Sequence, residues 1–202
     1  MSTRRRLTPQ QRRDELLDTG EQLFGEHPFD EVAMEDIAAR AHVSRALMYH
    51  YFPTKGEFFA AIWKRAHDRL MGTVRMVATE SVRAAVATGL GAHLDFYRAH
   101  AALVFIANRS TIATDPAVRG PIAEDMTALC DRILDACDAS GHARELAAAA
   151  LAGWVAFVRE VALEWVLYER ISREETMELA MAVLDATVGS RVDLAAAPAR
   201  SG

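Results

Sequence analysis

The stretch 32–59, VAMEDIAARAHVSRALMYHYFPTKGEFF, restricts the fold more than any other part of the 202-residue chain. Apolar residues repeat at helical spacing as far as Ala41, and the pattern stops at His42. Ser44 is a suitable N-cap for a second short helix, in which Met48 is the inward residue. Two short helices joined through so tight a corner predict a helix-turn-helix unit.

The same stretch resembles the DNA-binding segment of the tetracycline-repressor (TetR) family of transcriptional regulators. Four features carry the resemblance: Ile37-Ala38, Val43-Ser44, the aromatic run Tyr49-His50-Tyr51-Phe52, and Lys55 at the start of the next helix. The match covers about the first 65 residues. It implies an all-α protein with an N-terminal three-helix helix-turn-helix DNA-binding domain and a C-terminal helical domain for ligand binding and dimerisation.

Helical periodicity extends through the rest of the chain, and no stretch alternates as strands do. Beyond residue 80 it predicts helices at 81–99, 101–110, 116–138, 143–169 and 173–188. We expect a DNA-binding domain over 1–53, an effector-binding and dimerisation domain over 54–190, and a disordered tail over 191–202.

The resemblance implies a set of DNA contacts on the second helix of the motif. Arg45 is the base-reading candidate, because a guanidinium can pair with guanine O6 and N7 at once. Tyr49 and Lys55 match positions that hold phosphates in the family, and His50 is placed for a base edge or the backbone. The full predicted set is Ser44, Arg45, Ala46, Leu47, Tyr49, His50 and Lys55.

Three positions depart from the family pattern. Ala46 stands where the family often has Gly, and Leu47 stands where it often has Thr. An apolar contact with a thymine methyl would replace the hydroxyl contact at Leu47. Family members usually place Ser or Thr where this chain has Ala33, so the phosphate contact made there is in question.

The charge distribution is compatible with DNA although the net charge is −5. Residues 1–13 hold five arginines and no acid, and residues 1–65 hold ten basic and ten acidic side chains, so the acidic excess lies farther along. Positive charge needs only to be concentrated where the phosphates lie. The arginine arm is either a solvated tail or a phosphate contact.

Motifs for catalysis or metal binding are missing from the sequence. It has no Gly-rich phosphate loop, HExxH, CxxC or GxSxG, and its seven histidines lack ligand spacing, so we expect no enzyme activity, cofactor or metal. Cys130 and Cys137 would lie about 10 Å apart on a straight helix, too far to bridge. With no apolar run near the ~20 residues of a membrane span and no secretory signal, we expect a cytoplasmic protein without membrane contact.

Large apolar side chains with a few polar groups among them predict a cavity for a mostly apolar small molecule. The candidate lining residues are Trp63, His67, Phe96, His100, Phe105, Asn108, Met126, Trp154 and Phe157. Each apolar residue among them has the alternative role of plain core. Two other functions stay open: a helical carrier or enzyme with a vestigial helix-turn-helix, and a DNA-binding protein that answers to a protein partner or to no effector.

The last two helices carry more apolar surface than one small domain needs, which predicts contact with a second copy of the chain. The resemblance agrees, because TetR-like proteins dimerise through their last two long helices. The predicted interface residues are Trp165, Tyr168, Met177, Ala180, Met181 and Leu184. A two-fold dimer requires a palindromic operator. The resemblance to the family further implies a repressor that a small-molecule effector releases from the operator.

Overall fold

The computed structural model describes residues 7–73 and 81–197, and all regular structure in those ranges is helical. The helices are α1 (Pro9–Glu26), α2 (Met34–Arg40), α3 (Arg45–Tyr51), α4 (Lys55–Thr73), α5 (Val82–Ala99), α6 (Ala101–Arg109), α7 (Pro116–Ala136), α8 (Gly141–Val166) and α9 (Arg173–Thr187), with a 3-10 turn at Phe29–Glu31. The all-α prediction is confirmed.

Side-chain caps start several helices, as the sequence predicts. Thr8 Oγ1 accepts the N–H of Gln11 at 3.2 Å, and Gln11 Oε1 accepts the N–H of Thr8 at 3.0 Å. Ser172 and Glu175 form the same reciprocal pair at the start of α9. Ser81 accepts the N–H of Ala84 at the start of α5. These caps satisfy N–H groups that have no partner inside the helix.

By packing, the described chain divides into two units. The first comprises the residues through His67 together with Ala102–Pro121, and the second comprises Asp68–Ala101 and the residues from Ile122. The first unit therefore holds the helix-turn-helix, most of α4 and nearly all of α6. The functional boundaries predicted at 53 and 190 remain a proposal.

Aromatic rings form the core of the first unit. Phe24 lies 5.5 Å from Phe29 and 5.6 Å from Phe59, and Phe52 lies 4.8 Å from Phe58, measured between ring centroids. All five side chains are buried. Tilted and edge-on rings at these separations add to the burial of apolar area, and they fix α1 against α4 beneath the helix-turn-helix.

The second unit is built on α5, α8 and α9. Trp154 on α8 donates its indole N–H to the backbone carbonyl of Ala180 on α9 at 2.7 Å, in a buried position. Arg173 at the start of α9 reaches Asp95 on α5 at 2.8 Å. A buried hydrogen bond and surface ion pairs, among them Arg173–Asp95 and Arg83–Asp185, thus add to the apolar packing that holds these three helices together.

The segment 191–197 is packed against the start of α5, so the disordered tail predicted from residue 191 is wrong for these residues. The N–H groups of Val82 and Arg83 donate to the carbonyls of Ala196 and Leu194, at 3.0 and 2.8 Å. Leu194 is buried. The first turn of a helix presents N–H groups without partners, and here the tail supplies the acceptors.

Helix α8 is long and apolar enough to cross a membrane, by length and composition alone. Its mean hydropathy reaches 1.7, and 33% of that window is buried within the chain. The expectation that no apolar run approaches a membrane span is therefore wrong on this criterion. A single such helix is weak evidence for a membrane, since core helices pass the same test. Helix α8 does have an apolar face that the described part of the chain leaves uncovered.

Candidate nucleic-acid interface

The corner between α2 and α3 is closed by backbone hydrogen bonds. The N–H groups of His42 and Val43 donate to the carbonyls of Ala39 and Ala38, at 3.1 and 2.9 Å. His42 has a φ of 55°, the left-handed conformation with which many helices end. Ser44 Oγ then accepts the N–H of Leu47 at 3.2 Å and begins α3. The predicted cap at Ser44 is confirmed.

Helix α3 presents one face to the core and the other outward. Met48 is completely buried. Most of the predicted DNA contacts lie on the surface: Ser44, Arg45, Ala46 and His50 are exposed, and Leu47, Tyr49 and Lys55 are half-buried. The structure thus brings the predicted set to one short helix and the start of the next.

Glu35 in the first turn of α2 contacts two of these side chains. Its Oε1 lies 3.0 Å from Arg45 Nε and accepts a hydrogen bond from the Tyr49 hydroxyl at 3.2 Å. The Arg45 guanidinium carbon lies 5.4 Å from the centre of the Tyr49 ring. We refer to Glu35, Arg45 and Tyr49 as the Glu35 cluster. Glu35 was not among the residues predicted to contact DNA.

The Lys55 ammonium lies over the ring of Phe29, 4.2 Å from its centre, as a cation–π contact. Burial lowers the pKa of Lys55, and the nearby Asp30 carboxylate acts in the opposite direction. Tyr51 donates its hydroxyl proton to the carbonyl of Pro9 at 3.3 Å, which ties α3 to the start of α1. A phosphate contact by Lys55 would require the ammonium to leave Phe29.

Position 33 has no side-chain cap, as expected of alanine. The carboxylate of Asp36 instead accepts the N–H of Ala33 at 3.2 Å, so one half of a capping box is present. Of the arginine arm, Arg12 and Arg13 lie in α1, where Arg12 pairs with Glu15 and Arg13 stacks on Phe52. Residues 4–6 lie outside the described residues.

The loop at 110–115 touches the helix-turn-helix region within the first unit, a feature that sequence reasoning missed. Thr111 donates its hydroxyl proton to Asp30 at 3.3 Å. Asp115 accepts the N–H of Ala117 with one carboxylate oxygen, and the other lies 3.0 Å from where a Cβ on Gly56 would stand. This loop therefore abuts the start of α4.

The residues predicted to bind an effector are divided between the two units. Four lie in the first unit (Trp63, His67, Phe105 and Asn108) and five in the second (Phe96, His100, Met126, Trp154 and Phe157). Several have polar atoms engaged within the chain: Asn108 donates to the carbonyl of Val104, Trp154 donates to that of Ala180, and His100 Nδ1 lies 3.0 Å from the carbonyl oxygen of Phe96. Phe105 is 48% exposed. Because its indole N–H donates to the carbonyl of Ala180, Trp154 is a core residue that joins α8 to α9.

The polar surroundings of the second unit include groups that were not predicted. Burial raises the pKa of Tyr97 to about 12, with opposing contributions from Arg159, which lowers it, and Glu160, which raises it. The His93 ring lies 4.3 Å from the Tyr97 ring. An open groove of about 430 Å³ runs along α1 in the first unit, and apart from Leu7 its lining side chains are polar or acidic.

Half of the predicted dimer interface is internal to the chain. Ala180 and Leu184 are fully buried, and Met181 is nearly so, because other parts of the same chain cover them. Trp165 and Met177 are half-buried, and Tyr168 is exposed. Beyond the first turn of α8, helices α8 and α9 leave these small and apolar residues exposed: Leu146, Ala149, Ala152, Gly153, Ala156, Leu179, Ala182 and Ala186.

Comparison with known proteins bears on this geometry. Residues 16–62 match the family described as bacterial regulatory proteins, tetR family. That range holds the core helices, the corner and the exposed face of α3. The N-terminal part of the chain is therefore a domain of the tetR family of bacterial regulatory proteins.

Similarity to known regulators extends over most of the chain. It is 26% identical over 177 residues to the HTH-type transcriptional activator FasR of Mycolicibacterium smegmatis, covering 86% of this chain and 81% of that protein. A tetR-family transcriptional regulator from Streptomyces coelicolor superposes with a TM-score of 0.75 at 24% identity, covering 91% and 85% of the two chains. FadR of Bacillus subtilis in complex with stearoyl-CoA gives 0.60 at 14%, covering 87% and 97%. These structures show the shared fold.

Proposed function

We propose that the protein is a homodimer that binds a palindromic operator through α3 and is released by a mostly apolar small molecule. The observation that carries the proposal is the exposed face of α3, which is held out from a capped corner with Arg45 at its first position. A short helix mounted in this way enters the major groove with its N-terminal residues against base edges. We place the protein in the cytoplasm, because transcription begins there.

The contacts follow from side-chain chemistry. Arg45 reads guanine, and Ala46 and Leu47 contact thymine methyl groups. Tyr49 and Lys55 hold phosphates, which position the helix without reading sequence. The Ser44 hydroxyl accepts a backbone N–H in the free protein, and its own proton remains available to donate to a phosphate oxygen. His50 is placed for either kind of contact.

The apolar face left open on α8 and α9 supports a two-fold dimer. The eight exposed residues named above recur mostly at three- and four-residue steps along each helix, and all but Leu146 and Leu179 are small, which lets helices approach closely. We call these residues the stripe. We therefore move the proposed interface from Ala180, Met181 and Leu184 to this stripe, with Trp165, Tyr168 and Met177 at its margin. Symmetry of the dimer is what makes the operator palindromic.

Gly153 provides a sharp test of this dimer, because a Cβ placed there meets nothing within 4 Å inside the chain. Gly153→Arg should leave the monomer folded and abolish the dimer in a size measurement at micromolar concentration. Gly153→Ala is the matched control and should remain dimeric. A single species of about 22 kDa from the unaltered chain would refute the homodimer.

An acyl effector is the chemistry we propose for the second role, because the FadR structure holds stearoyl-CoA and this chain shares its fold. The candidate contacts within the second unit are the apolar residues Phe96, Met126 and Phe157, with His100 as a polar group. A differential affinity of the effector for the two states is what shifts the equilibrium.

The experiment measures binding of a labelled operator duplex while long-chain acyl-CoA, the free fatty acid or ethidium is added. Release of the duplex together with a rise in melting temperature supports an apolar effector. A rise in melting temperature without release of the duplex would mean that the ligand binds without controlling DNA binding, which would support the carrier function. Transcription with and without the ligand decides between repression and activation, since the relative FasR is an activator.

A further inference from the structure

The Glu35 cluster places an acid at the surface that the proposed function turns toward DNA. The side chain of Glu35 is 44% exposed and that of Arg45 is 72% exposed, so both are open to solvent. A carboxylate next to a phosphate backbone weakens binding to every DNA sequence. Its presence beside the proposed base-reading arginine therefore calls for a physical reason.

Helix capping does not supply that reason. The N–H of Ala33 is accepted by Asp36, the third residue of α2, while Glu35 is the second residue and its oxygen contacts α3. The dipole of α2 favours an acid in its first turn but does not select which residue on α3 it touches. The contacts to Arg45 and Tyr49 come from the corner, which sets the first turn of α2 beside α3.

The atoms in contact show what the cluster can do. Arg45 approaches the carboxylate with Nε, the inner nitrogen of the guanidinium. End-on pairing with guanine uses the two outer Nη nitrogens. Tyr49 donates to the same carboxylate oxygen, and its ring lies beneath the guanidinium. The side chain of Arg45 is thereby held at two places, and the atom nearest the carboxylate is Nε and not one of the outer nitrogens.

We propose that Glu35 is a specificity-determining positioning residue: it keeps Arg45 aimed at a base and withholds it from the phosphates. The proposal rests on the proposed function, in which α3 reads DNA. On the correct site Arg45 pairs with its base and keeps its contact with Glu35. On other sequences Arg45 gains most by turning to a phosphate, which requires it to leave Glu35. The carboxylate therefore weakens non-specific binding more than specific binding.

The test compares Kd for the operator duplex with Kd for a scrambled duplex of equal length and composition. In Glu35→Gln we expect the ratio of the two to fall about three- to tenfold, mainly because the scrambled duplex binds more tightly. Glu31→Gln is the matched control, because it removes one exposed carboxylate just before α2. The control should leave the ratio within about twofold. Melting temperature verifies that each variant is folded.

A double-mutant cycle with Arg45→Ala separates positioning from a general effect of charge. If Glu35 acts through Arg45, then Glu35→Gln has no further effect on the ratio once Arg45 is alanine. An equal fold-change in both backgrounds, or an equal gain on both duplexes, would show that Glu35 only repels phosphates and would overturn the proposal. An unaltered protein that prefers neither duplex overturns the proposed function itself, which is a separate result.

Discussion

The backbone N–H of Val43 donates to the carbonyl of Ala38 across 2.9 Å, and this contact ends α2 and directs the chain into α3. It is possible only because the intervening His42 adopts a φ of 55°. The orientation of α3 therefore depends on one residue in a left-handed conformation.

His42→Gly should stabilise the protein. A residue with a Cβ in this conformation costs about 1–2 kcal/mol, and glycine removes that cost but adds disorder to the unfolded chain, which leaves a gain of about 0.5–1 kcal/mol. Thermal unfolding should show a rise of about 1–3 °C. His27→Gly is the control, because His27 has an extended φ of −136° and should show no gain.

Gly20 should not tolerate a side chain. A Cβ there would lie 2.3 Å from the Phe58 ring, which is fully buried and packed against Phe52. Gly20→Ala should cost about 1–3 kcal/mol through overpacking. Gly25→Ala in the same helix meets nothing within 4 Å and should stabilise by up to about 1 kcal/mol through helix propensity. Equal melting temperatures for the two variants would contradict the close approach of α1 and α4.

Trp154 should matter for stability more than for ligand binding. Trp154→Phe removes the donor to Ala180 and leaves space in the core, which should cost about 1–3 kcal/mol in chemical denaturation. Trp165→Phe, at a half-exposed position, should change stability by less than about 0.5 kcal/mol. A stable Trp154→Phe variant that no longer binds an effector would restore Trp154 to the ligand site.

The Arg83–Asp185 pair should make stability depend on pH. The hydrogen bond from Arg83 lowers the pKa of Asp185. A carboxyl with a lowered pKa stabilises the folded state above its unfolded pKa, near 4, and that stabilisation is lost as pH falls through the folded pKa. Asp185→Asn should therefore melt slightly below the unaltered protein at pH 7 and together with it near pH 2. Because the pair is half-exposed, the difference is small. In an Arg83→Gln background the difference should disappear at both pH values.

Contacts within three or four residues were the easiest to predict. The caps at Thr8, Ser44 and Ser172 each join residues three apart, so their signal lies in a short run of sequence. The hydrogen bonds from the start of α5 to the carbonyls of residues 194 and 196 join parts of the chain more than a hundred residues apart. No local sequence pattern indicates them. Glu35 was missed for the same reason, because its partners lie across the corner.

The dimer residues show a second limit of sequence patterns. Ala180 and Leu184 lie at helical spacing among apolar residues, and that spacing indicates burial without indicating which chain provides the cover. The structure shows that the same chain covers them. Apart from Leu146 and Leu179, the proposed outer face is formed by alanines and a glycine, whose weak hydrophobicity gives little signal in a sequence.

The most direct test of sequence-specific reading by α3 is selection of random duplex DNA at ~150 mM salt, with the unaltered protein and Arg45→Ala treated side by side. At this salt concentration, weak binding through phosphates alone is suppressed. We predict an enriched palindrome with a guanine in each half-site, and loss of preference at that position alone in Arg45→Ala. No enrichment by the folded dimer, or the same preference in both proteins, would contradict the account.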